Sequence, residues 1–187
     1  MAGAWVWYGN DLENLVPRHP RAIDVIARAL RSAEVPNVLE PAGCSRSDGK
    51  KPDGLTLVPW ERGRALLWDF TCADTFAPSH LQSTSTTAGA AARTAETTKR
   101  RKYAHLEDRF HFVPVAVETM GVFGEDGFHL IEKIGARLKS VTAEKKAPSY
   151  LWQRMSMAIQ KGNVASILNT FAAEATTPDL EEVNELP

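Results

Sequence analysis

Apolar residues in this chain change rhythm several times, and each change marks an element. Ile23, Ile26 and Leu30 fall at spacings of three and four, so Pro20 to Ala33 predicts a helix with Pro20 suited to its first turn. Val35 to Leu39 is a short apolar run closed by Pro41 and Gly43 and predicts a strand, while polar Ser45 to Lys51 predicts a loop. Leu55 to Trp60 and Ala65 to Cys72 are two further apolar runs separated by Glu61-Arg62-Gly63-Arg64, a hairpin signature. Pro78 to Thr87, rich in Ser and Thr, predicts an exposed loop, and alanine-rich Ala88 to Asp108 predicts a helix. Phe110 to Glu118 alternates as a strand does, and Pro114 within it calls for an edge, a bulge or a strand start. Gly121 and Gly124 mark a loop, after which Phe128 to Val141 and Tyr150 to Phe171 carry helical spacing.

The hairpin matters because it decides whether Asp53 and Asp69 share a face. Side chains alternate along a strand, so a slip of one residue in register sends a group to the opposite side. A three-residue loop of Glu61, Arg62 and Gly63, with Gly63 left-handed, pairs Trp60 with Arg64, Leu55 with Asp69 and Asp53 with Thr71. Leu55, Asp69, Asp53 and Thr71 then share one face. A two-residue loop at Arg62-Gly63 separates the aspartates unless a bulge, for which Pro59 is the candidate, corrects the count.

Composition narrows the setting. With 43% apolar and 24% charged residues in 187, the chain has the makeup of one ordinary globular domain. Cys44 and Cys72 are too few for a disulfide framework or a four-cysteine zinc site, which points to a reducing intracellular setting, nuclear or cytoplasmic. No apolar run approaches the length of a membrane span, and Met1 to Asn10 lacks the basic flank of a signal peptide. The acids cluster at the end, from Glu174 onward, leaving the rest of the chain net basic. Its densest basic run is Lys99-Arg100-Arg101-Lys102, an arrangement that attracts phosphate and is equally common on solvated helix faces.

Two acids on neighbouring strands are what a hydrolase uses to hold Mg²⁺ against a phosphodiester. Asp69 lies inside an apolar run, where an unpaired charge costs several kcal/mol, so it requires a metal, a cation such as Arg64 or a helix lysine, or several hydrogen bonds. The aspartate of Lys51-Pro52-Asp53 by itself reads equally as a turn residue. His19, His80, His105, His111 and His129 show no ligand spacing, and Trp60, Trp68 and Trp152 read as core or interface residues.

Taken in order, Lys51-Pro52-Asp53, Trp68-Asp69-Phe70-Thr71 and Lys99-Arg100-Arg101-Lys102-Tyr103, followed by a strand and Gly121, resemble the restriction-endonuclease-like domain of non-LTR retrotransposons, a branch of the PD-(D/E)XK nucleases. The match runs from about Arg18 to Gly124, and Arg18-His19 resembles the R-H pair near the start of that domain. Asp48 to Gly54 and Leu66 to Cys72 are also similar to segments of uncharacterised animal proteins that read like retrotransposon fragments. The resemblance implies an α/β fold: a central mixed sheet of about four strands flanked by helices, with extra C-terminal helices. It divides the chain into an N-terminal extension (1–17), the restriction-endonuclease-like core (18–145), a C-terminal helix packing on that core (146–173) and a disordered acidic tail (174–187).

In function, the resemblance implies metal-dependent cleavage of DNA. Asp53 and Asp69 become ligands of Mg²⁺ (or Mn²⁺), with Glu40 a candidate third carboxylate. The lysine that the core nuclease motif places two residues after the second acid is replaced here by Thr71, so the cation falls to Lys99 or Lys102 on the helix. Tyr103 either orients a water or packs against the strand. Lys51, Lys99, Arg100, Arg101 and Lys102 become the nucleic-acid contacts, and the implied partners are DNA and a reverse transcriptase encoded by the same element. Such endonucleases usually follow a zinc knuckle and a reverse transcriptase, neither of which is present in these 187 residues. Three readings therefore stay open: an active endonuclease, a nucleic-acid-binding domain that has lost cleavage, and a protein-interaction module that keeps only the fold.

Overall fold

The computed structural model describes residues 18–45 and 49–174. The expected N-terminal extension, part of the loop before Lys51 and the acidic tail beyond Glu174 lie outside the described residues. The elements run α1 (Arg18–Ser32), β1 (Asn37–Leu39), β2 (Gly54–Glu61), β3 (Arg64–Ala73), α2 (Pro78–Thr84), α3 (Ala90–Tyr103), β4 (His111–Glu118), α4 (Glu125–Thr142) and α5 (Ala147–Glu174). A short 3₁₀ turn, Ala104–Leu106, follows α3.

The strands form one mixed sheet in the order β1-β2-β3-β4. The first three are antiparallel neighbours, whereas β4 runs parallel to β3 and is reached through α2 and α3, because a parallel pair needs a long crossover. As an edge strand, β4 accommodates Pro114, which sits opposite Asp69.

Alternation along β3 sorts its side chains between two layers of helix. Leu66, Trp68 and Phe70 join Ile26 and Leu30 of α1, Ile131 and Ile134 of α4, and Met155 and Ile159 of α5 in the larger core. Leu67 turns the other way and meets Tyr103, Leu106 and Phe112. Burial on both faces explains why β3 reads as an unbroken apolar run and not as an alternating one. Asp69 interrupts that run on the α3 side, where Leu67 also points.

Of the two turns the sequence left open, the structure has the shorter one with the irregularity at Pro59. The hairpin closes through the two-residue loop Arg62-Gly63, with Glu61 opposite Arg64 and both loop residues at positive φ (50° and 73°), as the mirror-image turn that suits strand twist requires. Leu55 therefore pairs with Leu67 and not with Asp69. An unbroken ladder from this turn would set Gly54 opposite Thr71, but register irregularities on both sides of Pro59 set it opposite Trp68.

The Ser/Thr-rich stretch expected to be a loop begins with helix α2. Pro78 occupies its first turn, and the hydroxyls, which can compete with helix, instead donate backwards, Ser83 Oγ to the His80 carbonyl (2.8 Å) and Thr84 Oγ1 to that of Thr75 (2.9 Å). α2 buries no residue, so no apolar stripe announced it.

Candidate active site

Asp53 stands immediately before β2, and the backbone around it is tied down from both sides. Its carbonyl accepts the Glu40 N–H at 3.0 Å from the end of β1, and its side-chain Oδ2 accepts the Phe70 N–H of β3 at 2.5 Å. The residue after it has to be glycine for a steric reason. A Cβ on Gly54 would fall inside the indole of Trp68, which is wholly buried. The close approach of β2 to β3 that carries Asp53 toward Asp69 thus depends on a missing side chain.

Asp69, only 4% exposed, meets two groups of α3. Lys99 Nζ lies 2.7 Å from Oδ2, and Tyr103 Oη donates to Oδ1 at 3.3 Å. Ala92, Glu96, Lys99 and Tyr103 recur at helical spacing, so one face of α3 delivers both groups to the sheet. Tyr103 is buried and packs at 4.8 Å, tilted, against Phe112 of β4, which fixes its ring. Of the partners the sequence left open for Asp69, these are a helix lysine and a hydrogen bond; Arg64 instead donates to the Glu107 carbonyl at 2.5 Å.

The two carboxyls feel each other. Burial first, and then the charge of Asp69, push the Asp53 carboxyl up to about 7 against the opposing pull of the Phe70 N–H and Lys99; Glu40 adds a smaller upward push. Two acids facing a single ammonium leave the cluster short of positive charge, and either a proton or another cation supplies it. The donor set, two carboxylates, is of the chemical kind that a hard divalent ion such as Mg²⁺ or Mn²⁺ takes. Glu40 does not join them as a third ligand: no group of three or more His, Cys, Asp or Glu among the described residues is arranged to hold a metal. It acts on Asp53 through its charge and lies exposed at the end of β1, in a left-handed conformation (φ 46°).

The basic run divides by function of position. Lys99 turns inward to Asp69, and Lys102 remains exposed without reaching it. Arg100 is engaged by Asp126 of α4 at 2.6 Å and by Glu107 at 3.4 Å, so it holds the fold together before it can serve a ligand. Arg101 is exposed, as is Lys51 beside Asp53. Thr71 is half-buried on β3 opposite Ala116, and the cation near the acids comes from α3.

Sequence reasoning missed two buried carboxylates that position α3. Glu118, at the end of β4, accepts the Ala91 N–H at 2.9 Å and so satisfies a free donor at the start of α3. Glu96 accepts the N–H groups of Gly127 (2.9 Å) and Asp126 (3.2 Å) at the start of α4 and lies 3.5 Å from that of Ala116. Burial raises its carboxyl while these donors lower it. Gly124 leaves the space in which the Glu96 carboxylate sits. The spacing of Ala92, Glu96, Lys99 and Tyr103 was the available signal, since it puts an acid on the face that packs.

No protein-family model matches the chain, and no curated protein matches its sequence. Among the described residues, no helix is long and apolar enough to cross a membrane.

Proposed function

We propose that this chain is a restriction-endonuclease-like domain of retrotransposon origin that cleaves DNA phosphodiesters with Mg²⁺ or Mn²⁺. The observation that carries the reading is the approach of Asp53, just before β2, to Asp69 on the neighbouring strand β3, with Lys99 Nζ 2.7 Å from the second acid. A mixed four-stranded sheet between helices, as the resemblance implies, supports it. Asp53 and Asp69 hold the ion, which when bound neutralises charge on the phosphate and lowers the pKa of a coordinated water. Lys99 presents its ammonium where charge develops on the phosphoryl oxygens, and Tyr103 fixes the orientation of Asp69. Exposed Lys51, Arg101 and Lys102 contact the phosphate backbone, and a reverse transcriptase of the same element is the protein partner.

One observation favours a second reading, a DNA-binding domain that does not cleave. Lys99 and Tyr103 already satisfy Asp69, so its burial does not by itself demand a metal. Purified protein incubated with supercoiled plasmid and Mg²⁺, beside Asp69→Ala, separates the two. The nuclease reading expects relaxation by the native chain alone. Equal nicking by both proteins rejects the site, and DNA binding without nicking by either transfers the assignment to the second reading.

A further inference from the structure

A cavity of about 490 Å³ opens where the hairpin tip, the start of β4 and α4 meet. That volume lies within the range of pockets that take small organic ligands. Its lining includes the half-buried rings of Trp60 and Phe110, the buried ring of Phe112, and the polar side chains of Arg64, His129 and Lys133. Most charges around it are already matched: Arg100 by Asp126 and Glu107, and Lys133 by Glu61 at 2.5 Å, with His111 3.5 Å from the same Glu61. Arg64 differs. One of its nitrogens is held by the Glu107 carbonyl, and no carboxylate among the described residues pairs with it. The remaining guanidinium N–H groups are therefore pre-positioned by a neutral acceptor and left with uncompensated charge. Phe110 is likewise held in place, with the Arg109 guanidinium 5.2 Å from its ring centroid.

We propose that this cavity binds one unpaired nucleotide of a DNA strand, its base against the aromatic wall and its phosphate on Arg64. A flat ring joined to an anion is the ligand that matches both halves of the lining, and base stacking on aromatic side chains needs no particular sequence. The choice of DNA rests on the nuclease reading above. Arg64 lies five residues before Asp69 on β3, an odd spacing that sets the two side chains on opposite faces of the sheet, so the cavity is a contact separate from the carboxylates.

Fluorescence anisotropy in EDTA tests this without any cleavage chemistry. The probes are a labelled blunt duplex and the same duplex with a five-nucleotide 3′ extension or a five-nucleotide 5′ extension. At least one extended duplex is expected to bind about tenfold more tightly than the blunt one. Phe110→Leu and Arg64→Gln should each bring that ratio close to one, while the blunt duplex binds them about as it binds the native chain. Lys133→Ala removes only the ion pair with Glu61, leaves the Arg64 contact to the Glu107 carbonyl in place, and should lower the ratio by a smaller factor. Equal binding of blunt and extended duplexes, or a ratio untouched in all three variants, overturns the pocket and leaves the Asp53–Asp69 reading standing. Failure to bind any of these duplexes overturns both.

Discussion

Replacing Asp53 by asparagine removes one of two facing acids while keeping the size of the side chain and an oxygen to accept the Phe70 N–H. The native carboxyl titrates near 7 in the fold against an ordinary value of 3.8. Its proton is therefore bound more tightly in the folded chain, and the stability this confers is fully present below about pH 4 and lost as the pH rises through 7. At about 1.36 kcal/mol for each tenfold difference in proton affinity, the loss between those limits approaches about 4 kcal/mol. Asparagine has no such titration. Urea unfolding of both proteins in EDTA at pH 4, 5, 6, 7 and 8 should show similar stability at the acid end, with Asp53→Asn pulling ahead by about 3 to 4 kcal/mol at pH 8. Adding Mg²⁺ at pH 8 should then stabilise the native chain and leave the variant unchanged, because the ion takes the place of the proton. A stability difference that is flat across this range would refute the argument, since Asp53 would then be neither buried nor opposed by Asp69.

Other substitutions follow from the same geometry. Lys99→Met leaves the buried Asp69 with only the Tyr103 hydroxyl and should cost about 3 kcal/mol near neutral pH, read by urea unfolding. Gly54→Ala drives a methyl group into the Trp68 ring and should cost about 1 to 3 kcal/mol, seen as a lower thermal midpoint together with loss of any nicking. Glu96→Ala strips the start of α4 of its acceptor and should cost about 2 kcal/mol, with faster amide exchange at Asp126 and Gly127 than elsewhere on that helix.

The elements were largely legible because their apolar spacing is strong, and each departure has its own physical cause. Arg62 is an unusual residue for a left-handed turn position, so a single glycine suggested the three-residue loop; Pro59, inside β2, was the visible sign that the ladder is broken. α2 has no buried side chain to impose a period, and its Ser and Thr resemble loop composition when read without their backward hydrogen bonds. Asp69 announced its need for a partner by sitting among apolar neighbours, but the choice of Lys99 over Lys102 or Arg64 depends on the direction in which α3 crosses the sheet. Glu96 left one trace, an acid on the packing face of α3, but the partners of Glu96 and Glu118 are backbone N–H groups, which leave no mark in side-chain patterns.

Those two glutamates have a consequence for α3 as a carrier of its lysine. Anchored to Glu118 at its beginning and, through Glu96, to the first turn of α4, the helix is bolted at a fixed height above the sheet. A slide by one turn, about 5.4 Å, would put either Glu96 or Tyr103 where Lys99 now stands. The first error sets acid against acid and the second removes the cation altogether, so the order of residues along this face penalises both misalignments.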